Sequence, residues 1–566
     1  MIHQPSVEIV RMSTSPYKDQ KPGTSGLRKK VKVFQQDNYT ENFIQSTLLA
    51  AGNPKTLVVG GDGRYFSKEA INITANICAA NGVDKMFVAL DGILSTPAAS
   101  CLIRKFGLDG GILMTASHNP GGPSEDFGIK YNSNNGGPAP PSITDKISTI
   151  ASTLDEYYTI KPAIKLDLSC LDIKEFKVHD GITMRWFSVV IINPLDYYTQ
   201  LMKEIFDFDM IKSQLFGKSR VTPFRMSIDC MHGVMGPFAR RILVDELGAP
   251  ASSVVNDIPK EDFSGKHPDP NLTYAPDLVS KLRSDPHIEF GAAFDGDGDR
   301  CMVLGPSGFF VTPSDSLAVM ANFIDQIPYY SSNLAGFSRS MPTAPAVDRV
   351  AAAKGLKVYE TATGWKFFGN LLDQAFISLC GEESFGAGSS HLREKDGLWT
   401  VMMWLNIIAI TECNVKQIVI KHWTQYGRDY FLRYDYENCD AEQGERLMDH
   451  LQQLIKDQSI VGKRCLCGDV EYEVESIDNF SYYDPIDGSV AKDQGVRIFF
   501  KTGERVVFRL SGTGSSGATI RGYFSSYRAE HVIGDPEKVL SPVIKMGLKI
   551  SKLEEFTGRS KPTVIT

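Results

Sequence analysis

The sequence predicts an α/β protein built on parallel sheets, and two observations support this prediction. Short β-rich apolar runs end in glycine, aspartate or serine, which are typical turn residues. These runs are 56–59, 111–114, 290–294 and 505–510. Between the first two runs, residues 69–80 place apolar side chains at helical spacing, and strand–helix alternation is typical of parallel sheets. Because ligands bind at the carboxyl ends of such strands, we expect the chemistry in the loops that follow them.

The chain length and composition predict several globular domains. The chain has 566 residues. At about 150 residues per domain, three or four domains are expected. Three consecutive α/β units followed by a different C-terminal unit fit the spacing of the runs. Hydrophobic residues make up 42% and charged residues 22% of the chain, which indicates a folded rather than a disordered protein. The net charge of -7 argues against a nucleic-acid binder, which usually carries a basic surface.

The cysteine pattern and the apolar segments predict a cytoplasmic protein without a membrane span. None of the ten cysteines forms a CxxC pair, so we expect reduced, buried thiols rather than a zinc site. Residues 1–21 lack the apolar core of a signal peptide. The most apolar stretch, 399–410, is shorter than the ~18 residues that a membrane span needs. It therefore predicts a buried helix.

The first chemical motif is TASHNPGG, which begins at Thr115 and follows a predicted strand. A hydroxyl delivered to a sharp Asn-Pro-Gly-Gly turn is predicted to be exposed and held by the backbone, as a nucleophile must be. Ser117 is therefore a candidate nucleophile, although a serine in a turn is more often structural when nothing else accompanies it. Thr115 and Asn119 do not match the Gly-x-Ser-x-Gly elbow of hydrolases.

The second motif is DGDGDR, again directly after a predicted strand. Asp295, Asp297 and Asp299 alternate with glycines that permit a tight loop, so their carboxylates are predicted to converge. Hard oxygen ligands of this kind suit Mg²⁺, and the three carboxylates would repel one another without a cation. An EF-hand calcium loop does not fit, because Arg300 and Pro306 stand where that loop needs glycine and glutamate. An acidic surface turn remains as an alternative.

The third motif combines GEESFG at 381–386 with the charged segment REKDG at 393–397. A carboxylate and a hydroxyl at short spacing can form hydrogen bonds with adjacent sugar hydroxyls, and a nearby basic cluster could hold a phosphate. Taken alone, this motif predicts a capped turn equally well.

The fourth motif is RLSGTGSSG at 509–517, followed by Arg521. Glycine-rich backbone amides, two hydroxyls and two arginines form a strong candidate phosphate site. The segment also contains a literal GxGxxG, but a dinucleotide site requires a helix to follow, and residues 518–524 predict a strand. The segment has no P-loop lysine either, so we do not expect a nucleotide site.

Together these motifs closely resemble the α-D-phosphohexomutase superfamily, and within it the cytosolic phosphoglucomutase branch. The resemblance extends from DQKPGTSGLR at 19–28 to PTVIT at 562–566, and so covers nearly the whole chain. It includes HPDPNLTY at 267–274 and TGWKFF at 363–368. Four separate motifs in the order of the family make the resemblance specific.

The resemblance implies a four-domain phosphohexomutase architecture. Three related α/β domains and a C-terminal α+β domain would surround a central cleft, and each domain would contribute one motif. The expected domains carry, in order, the phosphoserine, metal, sugar-binding and phosphate-binding loops, and they span 1–197, 198–311, 312–427 and 428–566.

The resemblance also implies the metal site and the reacting groups. Ser117 would be phosphorylated in the resting enzyme, and one of its phosphate oxygens would join Asp295, Asp297 and Asp299 around Mg²⁺. The catalytic residues would be Ser117, His118, Lys130, Arg28 and Lys395. Of these, His118 and Lys130 would handle protons.

The remaining implied residues bind the substrate. Asp299 and Arg300 would join Arg28, Ser117 and Lys395 around the reacting group. The residues implied for the sugar are Thr363, Glu382 and Ser384. The residues implied for the phosphate that does not react are Arg509, Ser511, Gly512, Thr513 and Arg521.

The implied activity is that of an isomerase that transfers a phosphoryl group within one sugar. It would interconvert glucose 1-phosphate and glucose 6-phosphate reversibly through the phosphoserine, with glucose 1,6-bisphosphate as intermediate and activator and Mg²⁺ as cofactor. We expect small-molecule sugar phosphates as partners, no nucleic acid, no membrane, and a monomer in the cytoplasm.

Two alternatives to this activity remain. A non-catalytic phosphoglucomutase-like protein of adhesion structures would keep the fold, but such relatives alter the turn after the serine and the phosphate loop. Here Asn119 and residues 511–517 match the active form. A mutase for another hexose phosphate, such as mannose or N-acetylglucosamine phosphate, is the second alternative, and residues 381–386 favour glucose over it.

Overall fold

Nine strands in the N-terminal part of the chain form one mixed sheet. The computed structural model describes residues 6–23, 25–217, 222–467, 470–512 and 518–566. In chain order, the nine strands are Ser6–Ser13, Leu27–Lys30, Thr56–Gly61, Lys85–Ile93, Gly110–Met114, Asp126–Ser133, Glu156–Lys161, Asp172–His179 and Met184–Ile192.

The centre of this sheet is parallel, as the sequence predicts. Thr56–Gly61 lies between the parallel neighbours Gly110–Met114 and Lys85–Ile93. Thr56–Gly61 and Gly110–Met114 read as continuous apolar runs because both of their faces are buried. Antiparallel strands, which the sequence pattern did not predict, extend the sheet on both sides.

Helices in the same part of the chain carry clear local signals. The predicted helix at 69–80 is confirmed as Ser67–Ala80. Thr96–Phe106 begins after Ser95, whose Oγ accepts a hydrogen bond from the Ala98 amide, and ends at Gly107 in the left-handed conformation. The other helices are Val31–Phe34, Tyr39–Ala50, Pro141–Ala151, Pro194–Ile205 and Phe208–Ile211.

Three further parallel strands belong to the same compact unit, which comprises Met1–Pro270, His287–Met302 and Gly386–Ala409. Met226–Asp229 lies between Val254–Val255 and Phe290–Phe294, and the last of these matches the predicted run at 290–294. The accompanying helical segments and short strand are Lys212–Phe216, Met235–Ala239, Arg240–Glu246, Ala251–Ser253, Phe263–Gly265 and Ala387–Ser389.

The second unit comprises Asn271–Pro286, Val303–Phe385 and Ile410–Thr566. Its first part contains three parallel strands, with Gly336–Ser340 between Val358–Thr361 and Ile377–Gly381. Phe309–Val311 pairs antiparallel with the end of Cys301–Gly305. The helices here are Pro276–Ser284, Pro306–Gly308, Pro313–Phe323, Ile324–Gln326, Pro328–Ser331, Ala346–Lys354, Trp365–Asp373 and Val415–Tyr426.

The C-terminal part of the second unit is an antiparallel sheet with helices, which confirms the predicted change from α/β to α+β. The seven strands, in their order across the sheet, are Arg464–Cys467, Val470–Asn479, Val496–Phe500, Glu504–Gly512, Ala518–Arg528, Arg428–Cys439 and Val564–Ile565. The strands Tyr482–Tyr483 and Val490–Ala491 form a separate pair. The helices are Ala441–Asp457, Pro536–Ser551 and Leu553–Thr557.

The glycine-rich segment therefore joins two paired antiparallel strands, Glu504–Gly512 and Ala518–Arg528. A dinucleotide-binding turn would instead lead into a helix. The structure confirms the strand predicted at 518–524, which was the reason for not expecting a nucleotide site.

The most apolar stretch of the sequence forms the helix Gly397–Thr411, which is buried from Gly397 to Ala409. A helix that is apolar on all sides is typical of a protein interior. No single helix in the described ranges is long and apolar enough to cross a membrane, although Gly397–Thr411 and Val415–Tyr426 meet the length and composition criteria as a bent pair. Six of the eight cysteine side chains that the structure describes are buried.

Candidate active site

The turn that carries Ser117 follows the buried strand Gly110–Met114. Ser117 has a φ of +54°, a left-handed conformation that is unfavourable for a residue with a Cβ and needs support from its neighbours. Its amide donates to Thr115 Oγ1 at 2.8 Å, and its carbonyl accepts from Arg64 Nη2 at 2.9 Å. Arg64 is buried against Asp62, whose carboxylate also accepts from Thr115 Oγ1 at 2.7 Å. Protein groups alone thus hold the Ser117 backbone.

The Ser117 hydroxyl faces a carboxylate. Its Oγ donates to Asp295 Oδ2 at 2.9 Å and lies 3.3 Å from His118 Nδ1. The residue is only 3% exposed, so the expectation of an exposed hydroxyl is wrong. The reason is that the aspartate loop packs onto the serine turn. A Cβ at Gly296 would lie 2.6 Å from the Ser117 carbonyl oxygen, so only glycine permits this approach.

Three aspartates converge beside Ser117. Asp295, Asp297 and Asp299 are buried, and each offers a carboxylate oxygen within 4.8 Å of the others. Asp297 Oδ1 and Asp299 Oδ1 have no hydrogen-bond partner among the described residues. Buried carboxylate oxygens without partners are costly, and a cation with oxygen ligands would satisfy them. The alternative of an acidic surface turn is wrong, because these side chains are not at the surface.

A helix N-terminus positions Asp297. Thr96, the first residue of the helix Thr96–Phe106, donates from Oγ1 to Asp297 Oδ2 at 2.7 Å, and its amide donates to the Asp297 carbonyl at 3.1 Å. The positive end of the helix dipole also favours the carboxylate charge. Thr96 is not among the residues predicted from the sequence, although the capping sequence Ser-Thr-Pro marks this helix start.

The aspartates differ in proton affinity. Burial raises the pKa of Asp295 well above its usual value, and the neighbouring charges of Asp299 and Asp297 raise it further. Burial also acts to raise the pKa of Asp299, but the charges of Lys395 and Arg300 outweigh it and lower that pKa below its usual value. Asp299 therefore stays ionised, whereas ionisation of Asp295 costs free energy.

Basic side chains surround the acidic group. Lys395 Nζ lies 3.0 Å from Asp299 Oδ2, and Arg300 Nε lies 3.9 Å from Asp295 Oδ2 and 3.8 Å from Asp299 Oδ1. Arg28 is buried, its Nε has no partner among the described residues, and burial lowers the pKa of its guanidinium. A buried guanidinium with a free donor fits an anionic group such as a phosphoryl oxygen.

Lys130 is also held by an acid. Its Nζ lies 2.5 Å from Glu394 Oε1, which also accepts from Asn132 Nδ2 at 3.0 Å. Burial raises the pKa of Glu394 above its usual value. Because Glu394 directly precedes Lys395, this contact ties the segment that carries Lys395 to the strand Asp126–Ser133. The sequence motif contains Glu394, but its spacing does not reveal this partner.

Asp396 anchors the same segment on its other side. It accepts from the Tyr198 hydroxyl at 2.6 Å and from the Trp399 amide at 3.0 Å. His391 Nε2 lies 3.1 Å from the second oxygen of Asp396. Lys395 is thus fixed by buried contacts at both of its neighbours in the chain.

In the second unit, the candidate sugar residues follow neighbouring parallel strands. Thr363 comes after Val358–Thr361, and Glu382 and Ser384 come after Ile377–Gly381. The Gly364 amide donates to Glu382 Oε1 at 3.1 Å, so the two loops meet. The buried Thr363 Oγ1 has no hydrogen-bond partner among the described residues, which leaves a hydroxyl available to a ligand.

The candidate phosphate residues lie on paired antiparallel strands. Arg509 and Arg521 are directly opposite each other, and Asp435 is opposite Arg521 on the next strand. Ser511 and Gly512 follow on the strand of Arg509. Thr513 lies outside the described residues.

The structure adds three residues to this group that sequence analysis missed. Arg433 lies opposite Tyr523, two residues from Arg521 along its strand, so these side chains share one face of the sheet. Arg433 Nε is 3.0 Å from Asp435 Oδ1. The Tyr523 hydroxyl donates to Glu383 Oε1 at 3.2 Å. Alternating Arg and Asp in the sequence RYDY of this strand is the signal that could have revealed Arg433.

The predicted residues therefore form two groups. The group in the first unit consists of Arg28, Ser117, His118, Lys130, Asp295, Asp297, Asp299, Arg300 and Lys395. The described group in the second unit consists of Thr363, Glu382, Ser384, Arg509, Ser511, Gly512 and Arg521.

Four family models match successive segments of the chain. Three are described as phosphoglucomutase/phosphomannomutase alpha/beta/alpha domains I, II and III and match residues 19–158, 196–308 and 312–426. The fourth is described as the phosphoglucomutase-1 C-terminal domain and matches residues 428–563. Three α/β/α domains followed by a distinct C-terminal domain agree with the predicted fold class.

Individual proteins are similar to the chain over its whole length. Phosphoglucomutase-1 of Homo sapiens is 54% identical over 568 residues, which cover 99% of this chain and 100% of that protein. Phosphoglucomutase-like protein 5 of Mus musculus is 49% identical over 569 residues and 99% of both chains. The open form of the exocytosis-sensitive phosphoprotein parafusin from Paramecium, also described as a phosphoglucomutase, has a TM-score of 0.89 and 44% identity over 100% of both chains.

Proposed function

We propose a phosphoserine mechanism for this chain, which belongs to the phosphoglucomutase/phosphomannomutase family. The chain is an isomerase of the phosphoglucomutase type and interconverts glucose 1-phosphate and glucose 6-phosphate. The observation that carries the proposed mechanism is the 2.9 Å contact between Ser117 Oγ and Asp295 Oδ2 inside a buried group of three aspartates.

Neither alternative activity is favoured. The identity to phosphoglucomutase-1 is 54%, against 49% to phosphoglucomutase-like protein 5, and the match to the former covers the same 99% of the chain. The contact between Ser117 and Asp295 also leaves the hydroxyl where a phosphoryl carrier needs it. For these reasons we treat the chain as an enzyme that acts on glucose phosphates.

Two half-reactions account for the interconversion. In the first, the bond between Ser117 Oγ and phosphorus breaks and a bond forms between phosphorus and O6 of glucose 1-phosphate, while the O6 hydroxyl releases its proton and Ser117 Oγ takes one up. In the second, the bond between O1 of glucose 1,6-bisphosphate and its phosphorus breaks and a bond forms between that phosphorus and Ser117 Oγ, while the Ser117 hydroxyl releases its proton and O1 takes one up. Protons and phosphoryl groups thus balance over the cycle, and the product is glucose 6-phosphate.

His118 and Lys130 are proposed to handle these protons. His118 Nδ1 lies 3.3 Å from Ser117 Oγ, which is close to hydrogen-bond reach of the reacting oxygen. Lys130 Nζ forms an ion pair with Glu394 Oε1, and burial raises the pKa of that carboxyl. We propose that this pair handles the second proton.

Charge neutralisation is proposed to fall to Arg28, Arg300 and Lys395. Phosphoryl transfer depends mainly on alignment and on stabilising charge at the transferring oxygens. Asp295, Asp297 and Asp299, with a phosphoserine oxygen, would hold Mg²⁺. When bound, Mg²⁺ would supply Lewis-acid stabilisation of those oxygens. The free buried oxygens of Asp297 and Asp299 fit this role.

Substrate binding is proposed to use the second group of residues. Thr363, Glu382 and Ser384 would contact the sugar hydroxyls. The phosphate that does not react would bind Arg509, Ser511, Gly512, Thr513 and Arg521. Because phosphate is nearly symmetric, the same residues can hold it at either end of the sugar.

We propose that the domains span 1–197, 198–311, 312–427 and 428–566, that Mg²⁺ is the cofactor, and that glucose 1,6-bisphosphate is intermediate and activator. Sugar phosphates would be the partners of a cytoplasmic monomer that binds neither nucleic acid nor membranes.

A coupled assay tests the proposal. Purified protein is supplied with glucose 1-phosphate, a trace of glucose 1,6-bisphosphate, and either Mg²⁺ or EDTA, and glucose 6-phosphate is measured over time. We expect turnover only with Mg²⁺, and phosphopeptide mapping should find phosphate on Ser117. Full activity in EDTA would contradict the metal site, and full activity without phosphate on Ser117 would contradict the carrier.

A further inference from the structure

One face of the C-terminal sheet carries three arginines with two carboxylates between them. Arg433, Arg509 and Arg521 lie on three adjacent strands, and the register places Arg521 between Arg509 and Asp435. Asp435 Oδ1 is 3.0 Å from Arg433 Nε, and Asp435 Oδ2 is 3.7 Å from Arg521 Nε. The Asp435 carboxylate thus forms ion pairs with two guanidinium groups.

Glu383 supplies the second carboxylate. It is 1% exposed and accepts from the Ser340 hydroxyl at 2.9 Å and from the Tyr523 hydroxyl at 3.2 Å. The Tyr523 hydroxyl in turn accepts from Arg509 Nη1 at 3.5 Å. Burial acts to raise the pKa of Glu383, but Arg509, Arg433 and Arg521 outweigh it and lower that pKa. Glu383 is therefore an ionised partner of the same arginines.

The charges and hydrogen bonds of this group are incomplete without a further anion. Three guanidinium groups face two carboxylates, which leaves one positive charge. Arg521 Nε is buried without a hydrogen-bond partner among the described residues, and Arg433 Nε has only its ion pair with Asp435 at 3.0 Å. Such unsatisfied donors would bind a phosphate, but each phosphate oxygen then competes with a carboxylate that the fold holds permanently in place.

We propose that Glu383 and Asp435 are internal counter-ions that limit how tightly the arginines bind phosphate. The inference rests on the proposed function, in which these arginines hold the phosphate that does not react. In that cycle the bisphosphate must leave the arginines and return with its other end, so binding that is too tight would slow turnover. Glu383 and Asp435 are thus positioning residues that set affinity rather than groups that contact the reacting atoms.

The position of Glu383 gives it a second effect. It lies between Glu382 and Ser384, which are the proposed sugar contacts. The Tyr523 hydroxyl joins it to the arginine face. If Arg509 turns towards a bound phosphate, its contact with the Tyr523 hydroxyl changes, and so does the hydrogen bond from that hydroxyl to Glu383. Phosphate binding would thereby affect the loop that holds Glu382 and Ser384.

Binding of inorganic phosphate tests the proposal without any dependence on turnover. Its Kd is measured by calorimetry at fixed ionic strength for wild type, Glu383→Gln and Asp435→Asn. Each substitution keeps the size of the side chain but removes one competing charge. A charge a few ångströms away shifts an ionic equilibrium by about tenfold or more. We therefore expect the Kd of phosphate to fall about tenfold in each variant.

A matched control separates this effect from a general change in stability. Glu360 in the same unit contacts Arg339 and Arg497, which lie outside the arginine face. Glu360→Gln removes the same charge and should leave the Kd of phosphate unchanged. In steady-state assays, Glu383→Gln should lower both KM and kcat for glucose 1-phosphate, whereas simple damage to the site would raise KM.

The outcomes distinguish this inference from the proposed function. If Arg521→Ala does not weaken phosphate binding, the arginines are not the phosphate site and both ideas fail. If Arg521→Ala weakens binding but neither Glu383→Gln nor Asp435→Asn tightens it, only the counter-ion role is wrong. Should one variant fail to fold, the other carries the same expectation.

Discussion

The serine and aspartate site of the first unit and the arginine face of the second are built differently. The first is made of loops, whose backbone is fixed by specific partners such as Arg64, Thr96 and the close approach at Gly296. The second is made of regular strands, where Arg509 and Arg521 extend from paired positions and Arg521 Nε has no hydrogen-bond partner among the described residues. A loop whose backbone is fixed by several partners can hold a reacting atom in one position, as bond breaking requires. Side chains on regular strands can instead bind and release an ion repeatedly.

This difference predicts how the two regions respond to substitution. Removing one group from the loop site should abolish or strongly reduce turnover, because each atom has a unique position. Removing one arginine from the strand site should produce a graded loss, because neighbouring arginines would share the proposed phosphate.

Ser117→Ala should have the largest effect, since it removes the proposed carrier of the phosphoryl group. We expect kcat to fall by more than about 10³, as is usual for loss of a nucleophile. Steady-state assays with glucose 1-phosphate measure this, and Ser148→Ala on the helix Pro141–Ala151 serves as a control without loss. Substantial activity in Ser117→Ala would mean that the loop site is not where the phosphoryl group is carried.

Asp297→Asn should have the next largest effect. An amide contributes no charge to a bound cation, so Mg²⁺ affinity and kcat should both fall, with kcat reduced by about 10²–10³. Titrating Mg²⁺ into the assay after EDTA treatment separates the two losses. A variant that regains wild-type kcat at saturating Mg²⁺ would show that Asp297 serves affinity alone.

Arg521→Ala tests the graded response of the strand site. Losing a charged hydrogen bond of roughly 1.5–3 kcal/mol should reduce kcat/KM for glucose 1-phosphate by about one to two decades. Transfer to free glucose should change far less, because free glucose has no second phosphate to be held.

The matched control for this variant is Arg528→Ala, at the end of the same strand, where Arg528 pairs with Glu504. It should affect neither acceptor. An equal loss for both acceptors in Arg521→Ala would mean that Arg521 supports the fold or the phosphoserine instead.

Asp295→Asn tests the smallest expected effect, a change in stability without metal that is separate from the loss of turnover expected for a metal ligand. The pKa of Asp295 is raised in the folded protein, chiefly by burial. The protonated Asp295 carboxyl therefore adds its full contribution to the free energy of unfolding below about pH 3.9, the pKa of an unfolded aspartate. This contribution is lost as pH rises through the pKa of Asp295 in the folded protein. In EDTA, the Tm of Asp295→Asn should exceed that of wild type by a margin that grows as pH rises above about 4.

Adding Mg²⁺ should reduce or reverse this margin, because the cation compensates the ionised carboxylate. Asp196→Asn, at an exposed position outside the aspartate group, provides a control for the substitution itself. If the Tm difference between Asp295→Asn and wild type does not change with pH, ionisation of Asp295 does not destabilise the protein without metal.

The sequence by itself determined the features that depend on short stretches of chain. The strand at 290–294 and the helix at 69–80 follow from apolar spacing and turn residues, and they appear where they were expected. The strand at 518–524 also followed from its β-rich pattern. These features are predictable because residue type and local periodicity decide them.

Only the tertiary structure decided which charged groups meet. Arg64 reaches the Ser117 carbonyl across 53 positions, and Glu383 meets Tyr523 across 140. The burial of Ser117 likewise depends on the aspartate loop, which is distant in sequence. Such contacts arise from strand register and loop packing, and the free energy of a buried charge depends on all of its neighbours, so no local pattern encodes them.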